Sequence, residues 1–190
     1  MSSYQEVSEN LSDDNLPCIS ILIPCWRRRK FIPLMLANIL NQNYPKEKLE
    51  VVILQDGDQD LFIDKKRQEL FVTALGEVQL NYKYEPNVRR CIGEKRNLLV
   101  KMSKHKICAM MDSDDIYLEN YLRYSVNALH QYKSGITSSN SMLFVYPNDD
   151  FKMSGISCDY KHQAHEACAV FTKKYFKSLG GFSKSSQGEG

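Results

Sequence analysis

Lys106-Ile-Cys-Ala-Met-Met-Asp-Ser-Asp-Asp115 is an apolar run that passes without a turn residue into three carboxylates within four positions. The run from Ile107 to Met111 is too short for a buried helix and has the length of a buried strand. The acidic cluster then falls at the carboxyl end of that strand. Two earlier stretches have the same form. Cys18-Ile-Ser-Ile-Leu-Ile-Pro24 is an apolar run ended by proline, followed by Cys25-Trp26-Arg27. Leu49-Glu-Val-Val-Ile-Leu-Gln55 closes on Asp56-Gly57-Asp58. Val78 to Tyr84 alternates apolar and polar residues and reads as a further strand.

Helical patterns separate these runs. Phe31 to Asn41 carries Pro33 in its first turn and Leu34, Ala37, Ile39 and Leu40 on an apolar side. Asp60 to Leu75, Gly93 to Ser103 and Tyr117 to Tyr132 also read as helices. Alternating strands and helices predict a doubly wound α/β fold with a mostly parallel sheet. In such sheets ligands bind beyond the carboxyl ends of the strands. The three special strand ends are therefore expected to face one crevice. After Gly135 the pattern changes. Ile136 to Tyr146, Met153 to Cys158 and Ala167 to Phe171 read as short strands, Pro147–Asp150 as a hairpin turn, and Tyr175 to Leu179 as a short helix stopped by Gly180-Gly181. A smaller mixed sheet packed against the first half is expected.

The 190 residues suit one domain, and a chain of this size buries about 70% of its unfolded surface. Apolar residues at 43%, with 9 glycines added, fall in the globular range and exclude collagen-like, coiled-coil and low-complexity chains. Lys+Arg 25 against Asp+Glu 23 leaves +2, so no nucleic-acid partner is expected. The 6 cysteines form no CxxC pair, and several sit in apolar runs. A reducing, cytoplasmic location is expected. No stretch reads as a membrane span or signal peptide. Residues 1–16 read as a flexible tail and 17–190 as one domain, with a nucleotide-binding half at 17–115 and an acceptor half at 116–190.

Four features carry chemistry, each with a plainer alternative. Asp112, Asp114 and Asp115 repel one another, and a hard divalent cation relieves that repulsion; the alternative is an N-cap for the following helix. A carboxylate at Asp56 suits a base or ribose, while Asp-Gly is also a common turn pair. Trp26 can stack on a base or close a core edge. Its neighbours Arg27-Arg28-Arg29-Lys30 form a charged run that is a solvated face or an aid to a phosphate-rich ligand. Arg96, at a helix start, suits phosphate or an exposed helix face.

In order along the chain, these pieces resemble family 2 glycosyltransferases with the GT-A fold. Ile19-Ser-Ile-Leu-Ile-Pro-Cys-Trp-Arg-Arg28 is similar to their first strand, and Glu50 to Asp58 to their second strand and acidic turn. Gly93-Glu-Lys-Arg-Asn97, Asp112-Ser-Asp114 and Leu179-Gly-Gly-Phe182 are similar to their glycine-to-Arg-Asn segment, DxD motif and Gly-Gly-Phe. The resemblance implies a metal-dependent inverting transfer from a nucleotide sugar, with a UDP-sugar expected, to a glycan or protein-linked glycan hydroxyl. It implies that Pro24, Cys25, Trp26, Asp56, Arg96, Asp112 and Ser113 bind the nucleotide, with Trp26 where the family usually has Tyr. Asp114, with Asp112, would coordinate Mn²⁺ or Mg²⁺.

An inverting transfer needs a general base, which the family takes from a Glu-Asp pair after Gly-Gly-Phe. Here Glu189 matches the first acid and Gly190 stands in the second place, so Glu189 is the candidate. His162, His165 and Glu166 are positioned to line an acceptor pocket, or are surface residues. Because the chain stops at the base position, it is expected to be a nucleotide-binding core with an incomplete acceptor half. A catalytically silent nucleotide-sugar or glycan-binding domain is the competing reading. A HAD-type phosphatase is disfavoured by Ile116 and by the motif's late strand; GxGxxG and P-loop signatures are absent.

Overall fold

The computed structural model describes residues 7–8, 10–157 and 165–184. The elements run β1 (Ile19–Trp26), α1 (Ile32–Leu40), β2 (Leu49–Gly57), α2 (Lys65–Leu75), β3 (Gln79–Pro86), α3 (Ile92–Met102), β4 (Ile107–Met110) and α4 (Tyr121–Gln131). There follow β5 (Ile136–Thr137), β6 (Ser141–Tyr146), β7 (Lys152–Ser157), β8 (Val170–Thr172) and α5 (Lys173–Ser178). Six strands form one sheet in the order β3-β2-β1-β4-β8-β5. β1 to β4 are mutually parallel, and β8 runs antiparallel to both β4 and β5. β6 and β7 form a separate antiparallel pair. This is the mostly parallel, GT-A-like sheet with a smaller second sheet expected from the sequence.

The continuous apolar runs follow from burial on both sheet faces. On β1 and β2, Ile19, Ile21, Ile23, Val51 and Ile53 point into one core, with Met35 and Ile39 of α1, Phe71 of α2 and Leu122 of α4. Leu22, Val52 and Leu54 alternate into the other, with Leu99 and Val100 of α3 and Phe171 of β8. Helices therefore cover both faces, and all nine residues of β2 are buried.

The parallel register fixes the crevice. Trp26 pairs with Asp56 at the ends of β1 and β2, and Leu22 pairs with Met110 on β4. The chain leaving β4 at Met111 is held by its amide donating to the Leu22 carbonyl at 3.0 Å. Asp112 to Asp115 thus emerge beside Pro24 and Trp26.

Four expectations need correction. Helix α4 begins at Tyr121, not Tyr117, because the Tyr117 amide donates to Asn38 Oδ1 at 3.0 Å and its hydroxyl donates to the Ala167 carbonyl at 2.7 Å. The acidic cluster is consequently not the helix cap; Asn120 holds that position. Helix α2 begins at Lys65, where Asp64 caps it by accepting from the Arg67 amide at 2.8 Å. Asp60 instead accepts from the Phe62 amide and the Tyr82 hydroxyl. The described part of the amino-terminal segment is tied down rather than loose. Leu11 donates to Asn127 Oδ1, Leu16 is buried, and Lys48 Nζ donates to the Asp13, Asp14 and Leu16 carbonyls. The expected strand from Ile136 to Tyr146 is divided between the two sheets, with Ser138–Asn140 between β5 and β6.

Candidate functional site

A polar pocket of about 110 Å³ opens at the carboxyl ends of β1 and β4. Pro24, Cys25, Trp26, Asp112, Ser113 and Asp114, all expected at a donor site, line it. Arg28, Arg89, Ile92 and Lys95 complete the wall. Trp26 is 36% exposed at the rim. The guanidinium of Arg89 lies 4.1 Å from its ring centroid and that of Arg27 lies 5.1 Å away. Arg27 itself has φ 55°, a left-handed conformation held by two hydrogen bonds to Asp58, at 3.0 and 2.6 Å. These bonds offset the steric cost of that backbone for a non-glycine residue. Gly57, at φ +99°, sits against Trp26: a Cβ there would lie 2.9 Å from its Cδ1.

Asp56 and Arg96 are placed differently from expectation. Asp56 is 0% exposed. Its Oδ1 accepts from Lys95 Nζ at 2.7 Å and its Oδ2 from the Arg90 amide at 2.8 Å. Asp56 therefore presents no oxygen to the pocket; it holds Lys95 and the turn carrying Arg89 and Arg90. Lys95 Nζ also donates to the Cys25 carbonyl at 2.9 Å. Burial pushes the Lys95 ammonium below its ordinary value, while the hydrogen bond and charge of Asp56 oppose that shift.

Arg96 is also buried, and it does not line the pocket. Its Nη2 lies 3.4 Å from Asp112 Oδ2 and its Nη1 lies 3.4 Å from Glu166 Oε1, while the guanidinium sits 5.6 Å from the Phe182 ring centroid. It positions Asp112 from behind. The Asp112 amide accepts further support as a donor to the Tyr117 hydroxyl at 2.8 Å. On the open side, Asp114 Oδ2 pairs with Arg28 Nη2 at 3.0 Å. Asp115 is held above the usual carboxylate range, first by burial and then by Asp114 beside it. Cys25 contributes its carbonyl and its bulk; burial pushes the thiol up to about 12, so it is neutral near pH 7.

His165 and Glu166 border a second, apolar pocket of about 170 Å³ with Phe171, Phe176 and Phe182. Glu166 pairs with Arg96 from that side, and Arg96 in turn pairs with Asp112 of the first pocket. Glu189 and His162 lie outside the described residues.

Two carboxylates, Asp112 and Asp114, supply hard oxygen donors at the first pocket. Among the described residues no group of three or more His, Cys, Asp or Glu is placed to hold a metal ion. A pair of carboxylates fits Mg²⁺ or Mn²⁺ only when a ligand brings further oxygens, which is the common arrangement with phosphate substrates.

Reading residues one at a time missed Lys95 and the Arg89–Arg90 turn. Lys95 was legible: it precedes buried Leu99 by one helical turn, as Arg96 precedes Val100, so both cations fall on the inward face of α3. Arg89 reaches the site through the path of the chain after β3, which no local pattern encodes.

The glycosyl transferase family 2 profile matches residues 20–180, and the chain belongs to that family. The glycosyltransferase AglE of Haloferax volcanii is 28% identical over 133 residues, which is 70% of this chain and 42% of that protein. The poly(ribitol-phosphate) β-N-acetylglucosaminyltransferase TarS of Staphylococcus aureus is 24% identical over 119 residues, 62% of this chain and 20% of that protein. The chain thus spans less than half the length of either relative. Among solved structures, the mannosyltransferase PcManGT from Pyrobaculum calidifontis, in complex with GDP-Man and Mn²⁺, superposes with a TM-score of 0.68 at 20% identity, covering 90% of this chain and 49% of that one. Among the described residues no helix is long and apolar enough to cross a membrane.

Proposed function

We propose that the chain carries the donor site of a metal-dependent, inverting glycosyltransferase. It takes a nucleoside-diphosphate sugar, with a UDP-sugar as the expected donor, and serves a hydroxyl of a glycan or protein-linked glycan. The observation that carries this reading is one pocket that gathers an aromatic platform, three cations and two aspartates at the adjoining ends of β1 and β4. Structures of similar fold, PcManGT with GDP-Man and Mn²⁺ and TarS with UDP-GlcNAc, support a nucleotide-sugar ligand.

In this reading Trp26 stacks on the base, which takes the place of one of the two exposed guanidiniums at its ring. Lys95 and Arg28 face the diphosphate, and Asp112 and Asp114 would hold Mn²⁺ or Mg²⁺. Bound there, the cation would supply charge neutralisation for the departing nucleoside diphosphate. Asp56 and Arg96 act one layer down, fixing Lys95 and Asp112. Ser113, buried in the same loop, lines the pocket beside Cys25. His165 and Glu166 serve the acceptor side, and Glu189 remains the candidate base for the acceptor hydroxyl.

The test is ligand-induced stabilisation. UDP with Mn²⁺ at about 100 times its dissociation constant should raise stability by ~2.7 kcal/mol, a shift of about 5–10 °C in Tm. Asp114→Ala should abolish the Mn²⁺-dependent part of that shift, together with Mn²⁺-dependent hydrolysis of a labelled nucleotide sugar. A wild-type chain that shows no shift with UDP and Mn²⁺ refutes the donor-site assignment.

The platform has its own test. The Gly57 carbonyl accepts from the Tyr84 hydroxyl at 3.1 Å and the Asn87 amide at 3.0 Å, so its backbone is fixed. In Gly57→Ala the new methyl displaces the indole. UDP affinity should fall by the ~1–3 kcal/mol that base–aromatic stacking is worth. Titration followed by fluorescence of Trp26, the chain's single tryptophan, reads this directly.

A further inference from the structure

Arg28 is held in the pocket by two contacts: its Nη2 lies 3.0 Å from Asp114 Oδ2, and its guanidinium carbon lies 5.5 Å from the Phe31 ring centroid. Both members of the ion pair remain accessible, with side chains 37% and 36% exposed. An arginine so placed has two consequences. Without a divalent cation it neutralises Asp114, easing the like-charge repulsion with Asp112 and Asp115. When a cation arrives at Asp114, its positive charge is repelled by the guanidinium and the pair must part. The freed guanidinium then faces the same pocket as Lys95, where a diphosphate brings the oxygen pairs that its fork geometry matches.

We propose that Arg28 is an exchangeable counter-ion: it occupies Asp114 in the empty site and transfers to the donor's diphosphate when the cation binds, making cation and nucleotide binding cooperative. This inference rests on the donor-site reading above and adds to it a specific positioning role for Arg28. The coupling has a simple origin. A cation binding alone must break the Arg28–Asp114 pair and receives nothing in return. A cation binding with a diphosphate breaks the same pair, but Arg28 gains a charge-assisted partner. By linkage the nucleotide must then raise cation affinity by the same factor that the cation raises nucleotide affinity.

The pair is exposed, so the cost it imposes on the cation is modest: a factor of about two to five, the range measured for surface ion pairs. The loss on the nucleotide side is larger, about tenfold or more, because a charge-assisted hydrogen bond is at stake. Isothermal titration of the chain with MnCl₂ alone, and with UDP in saturating Mn²⁺, separates the two. Arg28→Gln should bind Mn²⁺ alone about two- to fivefold more tightly, and UDP in saturating Mn²⁺ about tenfold or more weakly. Arg28→Lys, which keeps the charge without the fork, should leave Mn²⁺ affinity near the wild-type value and recover only part of the UDP affinity. Unchanged or weakened Mn²⁺ binding in Arg28→Gln overturns the proposal, and so does unchanged UDP binding. A merely structural arginine would lower the Tm without tightening the metal. The two levels fail separately: wild type without Mn²⁺-dependent UDP binding removes the donor-site reading and this inference together, whereas wild-type binding with Arg28→Gln behaving identically removes this inference alone.

Discussion

Lys95→Met should destabilise the fold by about 3–5 kcal/mol, the cost of stranding one member of a buried ion pair. Asp56 has no solvent exposure, and Lys95 Nζ at 2.7 Å is its nearest charged partner. Arg89 stands 3.8 Å away on an exposed side chain, and the Arg90 amide satisfies one oxygen only. With the ammonium gone, a carboxylate remains in the sheet's end with its charge largely uncompensated. Methionine fills the volume of the lysine stem, so the effect isolates charge from packing. Asp56→Asn combined with Lys95→Met removes both charges and should return most of the loss, since a buried pair replaced as a pair is close to neutral. Urea denaturation of the four proteins closes the cycle. The site should suffer as well. Lys95 also donates to the Cys25 carbonyl, next to Trp26, so both variants should lose UDP affinity even where the double variant regains stability.

The central sheet was legible because its strands are buried on both faces. Such strands are runs of apolar residues that end abruptly: β1 runs two residues past Pro24 to Trp26, β2 ends at Gly57, and β4 ends at Met110, two residues before Asp112. The register then brings those ends together without any side chain having to signal it. The second half was less legible. β5 holds two residues and β8 three, too short for a period to register. Whether Ser138–Asn140 interrupts a strand depends on the antiparallel partner β8, more than 30 positions away. The start of α4 was misplaced because Leu118 fits the helical spacing of Tyr121 and Leu122, yet it is 79% exposed. Periodicity counts an apolar residue whether or not anything covers it.

At the site, motifs located the loops and misjudged the depth of two side chains. Asp56 and Arg96 sit in recognisable positions, but each is enclosed by ions of its own: Lys95 for the first, Asp112 and Glu166 for the second. A motif names the position of a residue at a strand end or helix start. Depth depends on which neighbours are charged, and Lys95 and Glu166 lie 39 and 70 residues away from the groups they pair with.

Asn38→Leu should cost about 2–4 kcal/mol and loosen the acidic loop. Asn38 lies on α1 and belongs to no motif. Its side chain is nearly buried, with Nδ2 donating to the Asp115 carbonyl at 2.7 Å and Oδ1 accepting from the Tyr117 amide at 3.0 Å. Those two bonds clamp the segment between Asp114 and Tyr117, and Gln42 one turn later repeats the device by donating to the Leu118 carbonyl and accepting from the Leu122 amide. Leucine matches the shape but strands a carbonyl and an amide in a partly buried environment, each worth about 1–3 kcal/mol. The consequence reaches the carboxylates because Tyr117 also accepts from the Asp112 amide. When Tyr117 shifts, Asp112 and Asp114 lose their fixed spacing, and a cation site built on two carboxylates depends on that spacing. Thermal denaturation should therefore show a lower Tm, and Mn²⁺ titration a weaker affinity at temperatures where the variant is still fully folded. Asn38→Asp should fall between, since it keeps the acceptor for Tyr117 but turns the donor toward Asp115 into a second acceptor. If Asn38→Leu lowers the Tm while Mn²⁺ affinity stays at the wild-type value, the loop's geometry is set by Tyr117 and Arg96 alone, and α1 serves stability only.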